Sequence, residues 1–361
     1  MKAGVDVNKP HTSAIPSRTI VQSHKLDLDS PGRRDYWVAF AHDSLWGDHL
    51  MPLTVMVGPQ METGRGLVAF GSNHGNEYEG PIAIKHLLSE VRESDVLGRI
   101  ILVPVLNPGA FAQAARESVS DDGVNLNRAF IEGAGKAPAI SGITHRLAAF
   151  VRDHLWPRVH VVLDLHAGGD AARFARCTSY HPIEDPEQAG LVEDTARWFG
   201  TPLIVTYQNS TPGLLTSEAE RLGKVTVGCE LGWGRSISAE GVRYGKQGVL
   251  AAAINHGQLR GSIAPIDHHR DGTQRLVSMV DRECFTVSPF SGHYESLVDC
   301  GQTVERGDVI GLLHDFVRID DQPWAVRAEV SGVVIAQAFA SPVARGQHIV
   351  VVGTTQDKRT S

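Results

Sequence analysis

The chain has 361 residues, 42% of them hydrophobic and 21% charged, with a formal net charge of −7, a composition that suits one large globular domain and a small one. Acidic and basic residues are interspersed without a Lys/Arg block, and no apolar stretch approaches the roughly 20 residues that span a bilayer, so neither a nucleic-acid nor a membrane partner is expected. The start, Met1-Lys2-Ala3-Gly4-Val5-Asp6, has no apolar signal-peptide core, and Cys177, Cys229, Cys284 and Cys300 are far apart with no C-x-x-C pair; a disulfide scaffold and a Cys-zinc site are disfavoured, and a reducing cytoplasm is expected.

Residues 1 to about 50 are polar with scattered aromatics and suggest no element. From there the chain alternates. Leu53–Val57 and Gly66–Phe70 read as strands. Glu79–Val91 reads as a helix with an apolar stripe of Ile82, Ile84, Leu87, Leu88 and Val91. Ile100–Val105 is a buried strand, and a Gly/Pro-containing loop over 132–141 precedes a helix from Gly142 to His154. Strands over Val159–Leu165, Pro202–Thr206 and Lys224–Leu231 alternate with helices over Glu187–Phe199, Leu214–Leu222 and Ala239–His256. The expected fold class is α/β with a largely parallel or mixed sheet. Pro265–Gly272, with His268-His269, reads as a linker. Beyond it, short strands and Gly turns such as 304–311 and 329–335 predict a small all-β domain. The expected division is a domain over 1–272 and a β domain over 273–361.

The chemistry concentrates in few places. His74 and Glu77 stand three apart in Gly71-Ser72-Asn73-His74-Gly75-Asn76-Glu77, just past a strand, and His166 ends the buried strand Val161–His166. Two imidazoles and one carboxylate form a catalytic-type zinc set, with the remaining position left to water, and sites in open α/β sheets form at the carboxyl ends of strands. Asp164 shares a strand face with His166 and either orients a site group or anchors a loop. In Asn125-Leu126-Asn127-Arg128, the pair Asn127 and Arg128 suits a substrate carboxylate, and Arg116 suits a developing oxyanion; taken in isolation, each arginine reads rather as a surface salt bridge. Glu230, in Cys229-Glu230-Leu231-Gly232 at another strand end, is either a general base or a loop cap.

Taken in order, His74-x-x-Glu77, Asn127-Arg128, Asp164-Leu165-His166 and Cys229-Glu230-Leu231-Gly232 resemble the succinylglutamate desuccinylase/aspartoacylase family over roughly residues 50–360. The resemblance implies a zinc-dependent amidohydrolase with a zinc-carboxypeptidase-like mixed sheet, flanking helices and a C-terminal all-β, barrel-sandwich-like domain that shapes the substrate channel. It implies one Zn2+ per chain on His74, Glu77 and His166, Glu230 as acid/base, Asn127 and Arg128 on the substrate carboxylate, and Arg116 on the carbonyl. Residues 73–83, 107–111 and 125–130 are similar to the branch that deacetylates N-alpha-acetyl-L-2,4-diaminobutyrate in ectoine degradation. Trp233 and Arg235 depart from that branch, where smaller residues stand, and suggest an altered side-chain preference.

Glu79 rivals Glu77 as ligand, but the H-x-x-E spacing favours Glu77. His145, His154, His160 and the His268-His269 pair read as packing or solvated residues, and His293 and Tyr294 as packing or exposed ones unless they reach the channel. The only lysine after residue 260 is Lys358, in the polar tail, so a lipoyl-type carrier role for the β domain is poor. A channel-shaping or homo-oligomer contact is the better expectation. The expected activity is hydrolysis of a small N-acyl amino acid. The competing readings are a carboxypeptidase-type peptidase with the same centre, against which the extra β domain argues, and a non-catalytic zinc-dependent binding protein, against which the intact base and arginine pair argue.

Overall fold

Strands that alternate side chains between two covered faces must be apolar on both, and that pattern builds the centre of this molecule. In the computed structural model, which describes residues 18–42, 46–62, 64–131, 142–208 and 211–355, the main sheet starts with β1 (Thr19–Gln22), β2 (Gly32–Ala41), β3 (Asp48–Val57), β4 (Leu67–Gly71), β5 (Arg99–Val103) and β6 (Val161–His166). It continues with β7 (Ala172–Phe174), β8 (Cys177–Tyr180), β9 (Leu203–Thr206), β10 (Val225–Glu230) and β11 (Arg275–Ser278). Leu67 and Ala69 of β4 enter one core with Leu163 and Leu165 of β6. Val68 and Phe70 enter the opposite core with Val162.

Helices cover both faces. Ile84 and Leu87 of α1 (Glu79–Glu90) pack on the first core, while α2 is the short Pro108–Ala112. Leu147 and Ala148 of α3 (Ile143–Phe150) pack on the second. Val192 and Ala196 of α4 (Pro186–Arg197) join the first core, Leu215 and Ala219 of α5 (Leu215–Arg221) the second, and Tyr244 and Val249 of α6 (Ala239–Asn255) the first. The segment expected as a bare linker contains a short helix, α7 (Asp267–Arg270), in which His269 meets the Trp198 ring edge-on.

The chain then forms β12 (Phe285–Val287), β13 (Gly292–Ser296), β14 (Thr303–Val304), β15 (Val309–His314), β16 (Trp324–Arg327), β17 (Gly332–Ala338), β18 (Pro342–Val343) and β19 (His348–Thr355). The large mixed sheet runs in the order β1-β2-β3-β5-β4-β6-β10-β8-β9-β11-β19-β17-β14, and β16-β15-β13-β18 form a separate four-stranded antiparallel sheet. The junction is continuous. β11 pairs in parallel with β9 and antiparallel with β19, and β7, from the loop after His166, pairs with β17.

Two differences from the sequence reading stand out. The region before residue 50 holds β1, all of β2 and the start of β3. Its charges hide it: Arg33 and Asp35 pair with each other within β2, and Arg33 also reaches the Leu88 carbonyl. Strands β7 and β8 were not anticipated, since three- and four-residue strands carry too little period to register. The 132–141 loop and Lys358 lie outside the described residues.

Candidate active site

Parallel pairing brings β4, β6 and β10 side by side, with Gly71 opposite Leu165 and Glu230 opposite His166. Their carboxyl ends therefore open on one edge, where an open α/β sheet forms its site. The chain leaving β4 bends at Ser72, which takes φ 52, a conformation uncommon outside glycine. Gly75 then passes so close to α2 that a Cβ there would lie 2.1 Å from the Ala110 carbonyl carbon. This bend carries His74 and Glu77 back over the sheet edge.

Glu77 sits between the two imidazoles. Its Oε1 lies 2.9 Å from His74 Nδ1 and its Oε2 2.8 Å from His166 Nδ1. The donor atoms of the three residues lie within 4.8 Å of one another. The far nitrogens are also held: His74 Nε2 is 3.1 Å from Asn125 Oδ1, and His166 Nε2 is 2.8 Å from Asp164 Oδ2. These acceptors favour a proton on Nε2 in both rings, so that Nδ1 is the nitrogen each ring can offer to a cation. Asn73 Nδ2 donates to the same Asp164 oxygen at 3.1 Å. The donor set and its orientation fit a divalent cation of zinc type.

Glu79 is placed elsewhere, accepting the Ser238 backbone N–H at 3.0 Å. Arg116 Nη1 donates to Glu77 Oε1 at 3.2 Å. Asn127 Oδ1 accepts from the Leu215 backbone N–H at 2.9 Å, which turns its NH2 toward His166. Arg128 donates to the Asn127 carbonyl at 2.6 Å. His74, Glu77, Arg116, Asn127, Arg128, Asp164, His166 and Glu230 line one cavity of about 290 Å³ whose remaining wall includes Phe174, Val205, Tyr207, Met279 and Ile335. Thus the seven residues singled out from sequence stand around one space.

Burial opposes ionisation of Glu77, but the two imidazoles outweigh it and hold the carboxyl well below its ordinary range. Burial lowers the His74 pKa despite Glu77. Glu230 has no such partner. Its Oε2 is buried and makes no hydrogen bond among the described residues. Burial, followed by the charge of Glu77, pushes its pKa well above the ordinary carboxylate range, toward the neutrality at which a carboxyl can both accept and return a proton.

One expectation is corrected. Trp233 and Arg235 do not line the Glu230 cavity. The Arg176 guanidinium lies over the Trp233 ring at 5.2 Å, and Arg235 pairs with Asp170 at 2.8 Å on the surface. Tyr294 and His293 are packing residues, as expected: Tyr294 is buried in the core of the C-terminal strands, and His293 packs edge-on against Phe316. The sequence reading missed Asn125, whose contact to His74 arises from the 3-10 turn at Leu126–Arg128, and the apolar cavity wall, which no motif marks.

Residues 63–254 match the succinylglutamate desuccinylase/aspartoacylase catalytic domain. The N-alpha-acetyl-L-2,4-diaminobutyric acid deacetylase of Halomonas elongata is 33% identical over 313 residues, 86% of this chain and 87% of that one. This chain belongs to the succinylglutamate desuccinylase/aspartoacylase family. Among solved structures, the product-bound ectoine utilization protein EutE (DoeB) of Ruegeria pomeroyi aligns with a TM-score of 0.82 at 31% identity. A succinylglutamate desuccinylase/aspartoacylase of Rhodobacter sphaeroides aligns with a TM-score of 0.83 at 29% identity. Each covers 92% of this chain and 98% of its own. Family membership accounts for the order of the motifs along the chain, and among the described residues no helix is long and apolar enough to cross a membrane.

Proposed function

We propose that the protein is a zinc-dependent deacylase that hydrolyses the amide bond of a small N-acyl amino acid. The observation that carries this reading is the unpartnered Glu230 carboxyl, in register with His166 beside a His/Glu/His donor set. His74, Glu77 and His166 would hold the metal, which supplies Lewis acidity and makes water a nucleophile near neutral pH.

The protein's own groups then divide the work. Glu230 takes a proton from the attacking water and returns it to the amide nitrogen as the C–N bond breaks, releasing a carboxylic acid and an amine. Arg116, anchored by Glu77 at the donor end of the cavity, stabilises negative charge developing on the carbonyl oxygen. The Asn127 NH2 and the Arg128 guanidinium bind the substrate carboxylate, the former oriented by the Leu215 N–H. Asp164 and Asn125 fix the tautomers of the two imidazoles.

The C-terminal strands supply Ile335 to the cavity wall. A space of about 290 Å³ favours small amides over long peptides, which ranks the deacylase above a carboxypeptidase-type reading. The first substrate to test is N-alpha-acetyl-L-2,4-diaminobutyrate, named for the Halomonas elongata relative. The test is hydrolysis by zinc-loaded protein of that compound, N-acetyl-aspartate, N-succinyl-glutamate, neutral N-acetyl amino acids and tetrapeptides, with and without chelator. Chelator-sensitive turnover of a small N-acyl amino acid is expected. Equal turnover of tetrapeptides would favour a peptidase, and binding without turnover would leave a binding protein.

A further inference from the structure

A second group of side chains converges away from Glu230. His42 lies just past the end of β2, and its N–H closes the hairpin onto the Gly47 carbonyl at 3.0 Å. His49 lies near the start of β3, opposite Phe40. Their rings approach to 3.6 Å between centroids. Asp121, from the loop between α2 and Asn125, meets both: His49 Nε2 is 3.1 Å from its Oδ2 and His42 Nδ1 is 3.4 Å from its Oδ1. The donor atoms of the three residues lie within 4.8 Å of one another.

Both contacts lie within ion-pair distance, but neither has the geometry of a directed hydrogen bond. His42 Nδ1 and His49 Nε2 are both buried and have no directional partner among the described residues. The His49 side chain is 7% exposed and that of Asp121 2%. Two buried ring nitrogens without a hydrogen bond are costly, and a cation among the three donors would satisfy both. Ser118 adds the support a ligand carboxylate needs, since its hydroxyl donates to Asp121 Oδ2 and accepts from Gln113 Nε2 at 2.9 Å. That same bond argues against a nucleophile relay, because the hydroxyl is directed at the carboxylate and not at an imidazole. The backbone also makes room: a Cβ on Gly109 would lie 2.5 Å from Ser118 Oγ, 2.8 Å from Asp121 Oδ2 and 3.0 Å from His49 Cε1.

We propose that His42, His49 and Asp121 form a second metal site, distinct from His74/Glu77/His166. Two imidazoles and a carboxylate select a borderline transition ion, zinc above calcium or magnesium. The site fastens the β2–β3 hairpin to the loop that leads directly into Asn125, Asn127 and Arg128. It is therefore a clamp on the substrate-binding turn and has no part in bond cleavage.

The test is zinc content by elemental analysis of full-length protein that has been zinc-saturated and gel-filtered. It compares wild type with His74→Ala/His166→Ala and His42→Ala/His49→Ala, each checked for folding by circular dichroism. Two equivalents are expected in wild type and one in each double variant. Cobalt loading should give visible d–d absorption that persists in His74→Ala/His166→Ala. A wild type with a single equivalent that disappears in His74→Ala/His166→Ala overturns the proposal. A single equivalent lost only in His42→Ala/His49→Ala keeps it and defeats the catalytic-zinc reading instead. If the His42→Ala/His49→Ala variant fails to fold, the wild-type stoichiometry and the residual metal of His74→Ala/His166→Ala still decide.

Discussion

Acidification should destabilise this protein through a histidine pair remote from the active site. His160 precedes β6, and His166 ends it, a separation of about 20 Å along the strand. His160 meets His256 edge-on at 5.5 Å between ring centroids, and both His160 ring nitrogens are buried without a hydrogen bond. His256 Nε2 lies 2.9 Å from Thr195 Oγ1, whose hydroxyl donates to the Leu191 carbonyl at 2.6 Å. The hydroxyl therefore accepts from His256 Nε2–H, and charging this ring requires a proton on its other nitrogen. Burial pushes the His160 pKa down to about 4, helped by His256, Arg65 and Lys224. Burial, with Arg65, pushes His256 down to about 4 as well. The unfolded imidazoles titrate near ~6.5. Each folded value is depressed, so the stabilisation is complete above the unfolded value and is lost as pH falls toward the folded one. At pH 5 the unfolded chain has nearly filled both sites and the native state has not. The linkage relation then gives a loss of about 2 kcal/mol per imidazole relative to pH 8. Repulsion between the two rings is shared, so the pair contributes about 4 kcal/mol at most. Urea unfolding at pH 8 and pH 5 measures this, with His160→Asn/His256→Gln beside wild type. The variant should lose markedly less stability between the two pH values. Parallel losses in the two proteins would refute the assignment.

Glu230→Gln should lower kcat by about 10²–10⁴-fold while metal content stays at the wild-type level; retained activity would remove Glu230 from the reaction. Asp164→Asn withdraws the anion 2.8 Å from His166 Nε2 and should weaken metal binding by about 10–100-fold in competition with a chromophoric chelator. Asn125→Ala removes the acceptor 3.1 Å from His74 Nε2 and should act in the same direction, so unchanged affinity in both variants would discard the tautomer argument. Gly248→Val forces a side chain where even a Cβ lies 2.3 Å from the buried Phe199 ring. Overpacking of this kind costs about 1–3 kcal/mol, read as a lower urea midpoint.

The central strands were legible because both of their faces are covered. Leu67–Phe70 and Val161–Leu165 carry unbroken apolar residues for two cores, and such runs are conspicuous in sequence. The start of β3 was not, since Asp48, His49 and Pro52 read as breakers. Proline is tolerated there because β5 pairs only with residues 54–57 of β3, so Pro52 sits on a length paired to β2 alone. The His74, Glu77 and His166 set was legible because its spacing and strand-end position are local. Asn125, and the His42, His49 and Asp121 cluster, depend on contacts between elements that no spacing encodes.

The strand β7 connects two parts of the chain in an unexpected way. It follows His166 by a few residues, borders the cavity with Ala172 and Phe174, and is hydrogen-bonded to β17 in the C-terminal part. A hinge between the two parts would tear this ladder, together with the pairing of β11 to β19. Traffic into and out of the cavity must therefore pass by rearrangement of loops and side chains. The two parts should also share one unfolding transition, and a chain cut after residue 272 would expose strand edges that only its missing remainder can cover.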